Sequence, residues 1–195
     1  MMTHEAVIDE FRAAEALLDG HFLLSSGLHS PRYLQCARVL MDPARAERLC
    51  VALAQKVRMT ITGPIDMVAS PAMGGVIVGY VVAEALNVPF VFTERKDAKM
   101  TLRRGFTIHP DESVVIVEDV VTTGRSTRET ADVVRAAGGR VVGFACILNR
   151  SGRENPFDAP FVSLESMALE TYSETICQIC ASGIPLDAPG SRYSR

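Results

Sequence analysis

The sequence has no unbroken apolar run of the length a bilayer demands. Its most apolar stretch, residues 65–92, is cut by Pro71, Glu84 and Pro89 and by the Gly74–Gly75 pair, whereas a spanning helix needs about 20 mostly apolar residues. It reads instead as strand, turn, helix and strand. The opening residues, MMTHEAVIDEF, lack a basic segment followed by an apolar one, so no secretory signal is expected. An excess of positive charge is missing too. The net charge is −3, which disfavours nucleic-acid binding driven by bulk charge. The five cysteines are an odd number, which fits a reducing cytoplasm better than a disulfide framework. No internal repeat or low-complexity linker divides the 195 residues, a length that suits one domain. These absences lead us to expect a soluble, cytoplasmic globular protein with neither membrane nor nucleic acid as partner.

What is present is concentrated in residues 114–130, VVIVEDVVTTGRSTRET. Val114, Val115, Ile116 and Val117 form a short, wholly apolar run that suits a strand buried on both faces, as in a parallel sheet. Such sheets bind ligands beyond the carboxyl ends of their strands, and here that end carries Glu118 and Asp119. The turn that follows, Thr122-Thr123-Gly124-Arg125-Ser126-Thr127, offers hydroxyls and backbone NH groups at a helix N-terminus. Those donors match a phosphate monoester. Two acids beside a phosphate cradle would repel it unless they accept hydrogen bonds from a diol, so the segment reads as a site for ribose 5-phosphate. It is neither a Walker A loop nor the GxGxxG of dinucleotide folds.

Around this segment, short apolar runs alternate with helical patterns: 66–70 then 75–86, 90–93 then a charged loop, 114–117 then 125–137, 140–148 then a polar loop, and 160–164. This rhythm predicts an α/β fold with an open, mostly parallel sheet of about five strands flanked by helices. Upstream, residues 3–18 are amphipathic at helical spacing, residues 20–38 suit a hairpin, and Asp42-Pro43 opens a helix to Arg58 as N-cap and N1. Residues 1–40 and the C-terminal segment break the βα rhythm, so they are expected to pack together as a small N-terminal cap or hood over a core of 41–165, within one domain of 1–195. The tail from Ala181 to Arg195 reads as a surface extension.

The loop after the 90–93 strand gathers Arg95, Lys96, Lys99, Arg103 and Arg104 in a chain that is otherwise net acidic. It falls at the ligand edge, where cations could neutralise a pyrophosphate and a closing loop could exclude water. A solvated, charged loop or hairpin is the bland alternative.

The 114–130 pattern resembles the phosphoribosyl pyrophosphate motif of type I phosphoribosyltransferases. ERKDAKMTLRRGF, residues 94–106, is similar to the catalytic loop of the orotate phosphoribosyltransferases. Ser26-Gly27-Leu28-His29-Ser30-Pro31 with Tyr33 resembles that family's substrate segment, Ser70-Pro71-Ala72-Met73-Gly74-Gly75 its pyrophosphate loop, and Asn149-Arg150-Ser151-Gly152 its orotate-binding loop. The resemblance implies transfer of ribose 5-phosphate to orotate, Mg²⁺ as cofactor, phosphoribosyl pyrophosphate and orotate as substrates, and a homodimer. It also implies roles. Glu118 and Asp119 would hold the ribose hydroxyls, and Val120, Val121, Thr122, Thr123, Gly124, Arg125 and Ser126 would enclose the 5-phosphate. Arg95, Lys96 and Lys99 would bind pyrophosphate, with Lys99 reaching the neighbouring subunit's site. Thr122 and Arg150 would hold orotate, and Arg95, Lys99 and Asp119 would carry catalysis. Other readings are a transferase for another base, or a regulator that binds phosphoribosyl pyrophosphate.

The chain departs from the family pattern in three places. Ser25 and Gly74 stand where the family often has lysine, and Thr101 stands where a loop histidine is expected. Arg103, Arg104 and His109 are the alternatives for a compensating cation. Cys177 and Cys180 form a CxxC pair, but a tetrahedral metal site needs two further ligands. Cys36, Cys50 and Cys146 stand singly, and His4, His21, His29 and His109 have no metal-ligand spacing. No metal ligand is therefore assigned, and the pair is expected as partly buried thiols on a helix.

Overall fold

The computed structural model describes residues 2–24 and 26–189; Ser25 and the last residues of the tail lie outside that range. At the centre is a six-stranded sheet made of β3 (Met67–Pro71), β4 (Phe90–Lys96), β5 (Lys99–Leu102), β6 (Ser113–Val121), β7 (Arg140–Asn149) and β8 (Phe161–Ser166). The order across the sheet is β5-β4-β3-β6-β7-β8. Neighbours from β4 to β8 run parallel, and β5 alone is antiparallel. The expected parallel core is present, and the extra strand comes from the charged segment, which continues β4 into a hairpin instead of a loop.

The valine run of β6 sets the two faces. Val114, Val115, Ile116 and Val117 are all fully buried. Val115 and Val117 pack with Leu53 and Val57 of α3 (Pro43–Thr60) and with Val78 and Val82 of α4 (Gly74–Leu86). Val114 and Ile116 pack with Ala131 and Val134 of α5 (Arg125–Ala136) and with Phe144. Period-2 alternation in an all-apolar strand thus feeds two cores, one per sheet face. Each such buried side chain contributes ~1.5–3 kcal/mol.

Before the sheet, Thr3 caps α1 (His4–Ala13), accepting from the Ala6 NH at 3.2 Å. The helix stops short of the expected residue 18. Glu15 takes a left-handed φ of 48°, and Leu17 and Leu18 instead pair with Leu34 and Tyr33. Strand pairing overrides the helical spacing there. The result is the antiparallel hairpin β1 (Leu17–Leu23) and β2 (His29–Leu34), followed by the short α2 (Cys36–Leu40). Asp42 then caps α3 as its sequence indicates, accepting from the Ala44 and Arg45 NH groups at 3.0 and 3.3 Å.

The C-terminal segment returns to this hairpin. His29 and Tyr172 exchange backbone hydrogen bonds at 2.9 Å each way, and Leu23 NH donates to the Asp187 carbonyl at 2.7 Å. The four-residue α6 (Gln178–Ala181) brings Cys177 and Cys180 against His21 and His29. Spacing gave those histidines no metal-ligand pattern because the groups that meet are 151 to 159 residues apart in the chain.

Candidate active site

Chain order reverses between β3 and β6: β3 leads outward to β4 and β5, whereas β6 leads the other way to β7 and β8. The loops after these two strands diverge and leave a crevice at the carboxyl edge. Two adjoining cavities occupy it. The larger, about 650 Å³, is lined by Tyr33, Cys36, Asp119, Val120, Thr122, Thr123, Arg128 and Arg150 among others, a size usual for small-molecule sites. The smaller, about 90 Å³, is lined by Arg95, Val120 and residues 122–127. That is about three water molecules' share of liquid volume at ~30 Å³ each, room for one phosphate group.

β6 does not end at Val117. It continues through both acids to Val121, so the acids are held by the sheet rather than by a loop. Glu118 is 6% exposed. Its Oε2 accepts from the Ser126 hydroxyl at 3.1 Å, and Asp119 Oδ1 accepts from the Val120 NH at 2.8 Å. Burial, and then the adjacent Asp119 charge, push the Glu118 carboxyl well above the usual carboxylate range. Burial also raises Asp119. Desolvation disfavours two neighbouring charges, which is why both carboxyls move upward.

Across the crevice the N-terminus of α4 closes on the same pair. A Cβ at Gly74 would lie 2.9 Å from both Asp119 carboxylate oxygens, and one at Gly75 would lie 3.0 Å from Glu118 Oε1. Gly74 stands where relatives of the resembled family often carry lysine. Here a side chain at this position would force the Asp119 carboxylate to move.

The phosphate-sized cup is shaped by Gly124, whose φ of 69° is left-handed and comes readily only to glycine. A Cβ there would also lie 3.0 Å from Phe157. Arg128 donates to the Thr123 carbonyl at 2.9 Å and stacks over Phe157 at 5.7 Å, which braces the turn. At the rim, Arg95 and Arg125 both grip Glu129, Arg95 through Nη2 and Arg125 through Nε at 2.8 Å.

Arg150 enters from the end of β7, its backbone NH donating to the Val121 carbonyl at 2.7 Å. Asn149 ties the loop behind it, donating to the Arg153 carbonyl at 2.8 Å and accepting from the Ser151 NH at 3.0 Å. The Arg150 Nε is buried without a hydrogen-bond partner, and burial lowers the guanidinium's pKa. A desolvated cation with a free donor is costly unless a ligand satisfies it.

The sequence-assigned residues therefore divide. Asp119, Val120, residues 122–126, Arg95 and Arg150 line the crevice, whereas Glu118 and Val121 are buried in β6 and line neither cavity. Lys96 and Lys99 are exposed on the β4–β5 hairpin and line neither cavity of their own chain. Of the candidate compensating cations, Arg103 and Arg104 both bind Glu94, at 3.2 and 3.0 Å, and the exposed His109 lines neither cavity. The sequence assigns no role to Arg128, Glu129 or Phe157. Arg128, four residues after Gly124, and Glu129, four after Arg125, had local signals; Phe157 depends on tertiary approach.

The fold and this site define a phosphoribosyltransferase, and residues 40–176 match the model of the phosphoribosyl transferase domain. The chain is 49% identical over 191 residues to the orotate phosphoribosyltransferase of Caulobacter vibrioides (strain NA1000 / CB15N), covering 98% of each. In fold it is similar to Leishmania donovani UMP synthase, with TM-score 0.70 and 22% identity over 83% of this chain; it spans 36% of that longer chain. It is also similar to the adenine phosphoribosyltransferase of Thermoanaerobacter pseudethanolicus, with TM-score 0.64, 19% identity, and coverage of 82% of this chain and 99% of that one. The chain belongs to the phosphoribosyltransferase family, among its orotate phosphoribosyltransferases. No described helix is long and apolar enough to cross a membrane.

Proposed function

We propose that the chain transfers ribose 5-phosphate from phosphoribosyl pyrophosphate to orotate, giving orotidine 5′-monophosphate and pyrophosphate, a step of pyrimidine nucleotide formation. The observation that carries this reading is Arg150, half-buried on the same cavity as Asp119, with its Nε buried and unsatisfied. A planar carboxylate such as orotate's completes it with bidentate, charge-assisted bonds, whereas a neutral purine offers nothing equivalent.

In this reading the residue 122–127 turn and the α5 N-terminus hold the 5-phosphate, and Glu118 and Asp119 accept from the ribose hydroxyls. Bond breaking at C1 builds positive charge on the sugar and negative charge on the leaving pyrophosphate, by analogy with glycoside chemistry. Arg95, Lys96 and Lys99 stabilise that negative charge, and the hairpin carrying them shields the crevice from water. Orotate is already an anion, so the reaction needs charge placement more than a strong base. Asp119 with the Thr122 and Thr123 hydroxyls is an all-oxygen donor set that suits Mg²⁺. Among the described residues the only cluster of three or more His, Cys, Asp or Glu ligands lies in the cap, so substrate oxygens and water would supply most Mg²⁺ ligands, with Asp119 in reach. When bound, Mg²⁺ supplies further neutralisation of pyrophosphate charge. We place the enzyme in the cytoplasm as a homodimer in which Lys99 serves the partner's site.

The test is loss of orotate absorbance in the presence of phosphoribosyl pyrophosphate and Mg²⁺. Turnover should require all three. Arg150→Ala should lower kcat/KM for orotate by roughly one to two orders of magnitude, since hydrogen bonds to charged groups contribute ~1.5–3 kcal/mol. Turnover of adenine instead of orotate would refute the reading.

A further inference from the structure

The cap holds a second constellation, remote in sequence from the crevice motifs. His21 on β1, His29 at the start of β2, and Cys177 and Cys180 flanking the first turn of α6 place one ligand atom each within 4.8 Å of one another. His21 Nε2 lies 2.9 Å from His29 Nδ1 and 3.6 Å from each sulfur, and Cys180 Sγ lies 3.2 Å from His29 Nδ1. Zinc bonds of about 2.3 Å to sulfur and about 2.0 Å to nitrogen put the corners of a tetrahedron roughly 3.3–3.8 Å apart. Four of the six separations, 2.9 to 3.6 Å, are already near those edges, and the other two are within 4.8 Å. Both histidines and Cys177 are buried, at 4–5% exposure, so bulk water does not compete for them.

The surroundings match a metal site as well. His21 Nδ1 lies 2.9 Å from the Ile184 carbonyl. That contact puts the ring proton on Nδ1 and leaves the Nε2 lone pair facing the other three ligands, the usual arrangement behind a metal-bound histidine. Two soft sulfurs and two imidazoles with no open corner select a structural zinc ion over a hard cation. A disulfide is the competing use of the CxxC pair, but both cysteines are free thiols and both sulfurs turn toward the imidazoles.

We propose that His21, His29, Cys177 and Cys180 bind a structural Zn²⁺ that fastens the C-terminal segment to the N-terminal hairpin. The two segments it joins also roof the large cavity: Leu24, Leu28 and Tyr33 come from one side, and Ala168, Leu169 and Thr171 from the other. Backbone bridges between them are sparse, at Phe22 with Asp187 and at His29 with Tyr172. A four-coordinate ion supplies the covalent-strength tie that this small cap otherwise lacks.

The test uses tag-free full-length protein purified with a thiol reductant and no chelator, and measures its metal content. Wild type should carry about one zinc per chain, and Cys177→Ser/Cys180→Ser should carry essentially none. Metal-free reduced wild type titrated with Co²⁺ should develop thiolate-to-cobalt charge-transfer absorption that Zn²⁺ then abolishes. Limited proteolysis should cut near residues 20–30 or 165–185 faster after zinc removal, independently of catalysis. If the double variant does not fold, Cys180→Ser alone replaces it and should weaken Co²⁺ binding at least tenfold. Zinc content unchanged by these substitutions would overturn the proposal. So would wild type that neither retains zinc nor shows the cobalt band.

Discussion

At the scale of single residues, the acid pair governs both stability and chemistry. Glu118 is pushed upward first by burial and then by Asp119. A carboxyl whose folded pKa is raised binds its proton more tightly in the native state. Stability from that proton is complete below the unfolded value, near 4.5, and is lost as pH rises from there toward the folded value. The Glu118→Gln protein, uncharged at every pH, should therefore gain in Tm over wild type as pH increases from about 4.5 to 8, with little difference at pH 4. Thermal melts of both proteins across that range, without substrate, decide the matter; a constant offset would show that burial of Glu118 is not electrostatically costly. Activity should move the other way, because the amide keeps one acceptor oxygen where the carboxylate offers two.

At the scale of elements, the β4–β5 hairpin is where sequence and structure part most instructively. Its cations were legible from composition, but its conformation was not. Lys96 and Lys99 pair across an antiparallel register, joined by Asp97 and Ala98, both with left-handed φ of 50° and 64°. A two-residue turn of that kind ordinarily announces itself with Asn-Gly or Asp-Gly, and Asp-Ala does not. Lys99→Ala removes a charge from an ordered strand, so stability should change by under about 0.5 kcal/mol. Turnover should fall far more than affinity for phosphoribosyl pyrophosphate, since under the proposed function Lys99 would meet charge that develops as the bond breaks. Comparing kcat with equilibrium binding distinguishes the cases: weakened binding at unchanged kcat would assign Lys99 to the ground state. The parallel strands were easier to foresee. A run such as Val114–Val117 has no polar face, and only a two-sided core accepts it. The end of α1 was missed because Leu17 and Leu18 keep helical spacing while their backbone groups find strand partners.

At the scale of the whole molecule, the ligand edge was legible from the carboxyl end of the Val114–Val117 strand and the motifs around it, and a cap from the broken βα rhythm, but the contacts that build the cap span 140 residues or more and were not legible. The shared-hairpin reading of the dimer gives a sharp test. Lys99→Ala and Arg150→Ala subunits, each impaired alone, are mixed and allowed to exchange. If Lys99 serves the partner's site, the hybrid contains a site with both residues intact, and activity returns. Should Lys99 act within its own chain, each hybrid site retains a defect and the mixture stays as impaired as its parts.

The grip of Arg95 and Arg125 on Glu129 sets terms for the arriving substrate. Both arginines are occupied by Glu129 in the ligand-free chain, so under the proposed function phosphate docking there would be an exchange of anions and not the neutralisation of bare cations. Displacing that tethered rival would cost part of the electrostatic gain, and Glu129 would reclaim Arg95 when pyrophosphate departs. Glu129 would then trade tightness of hold for ease of release.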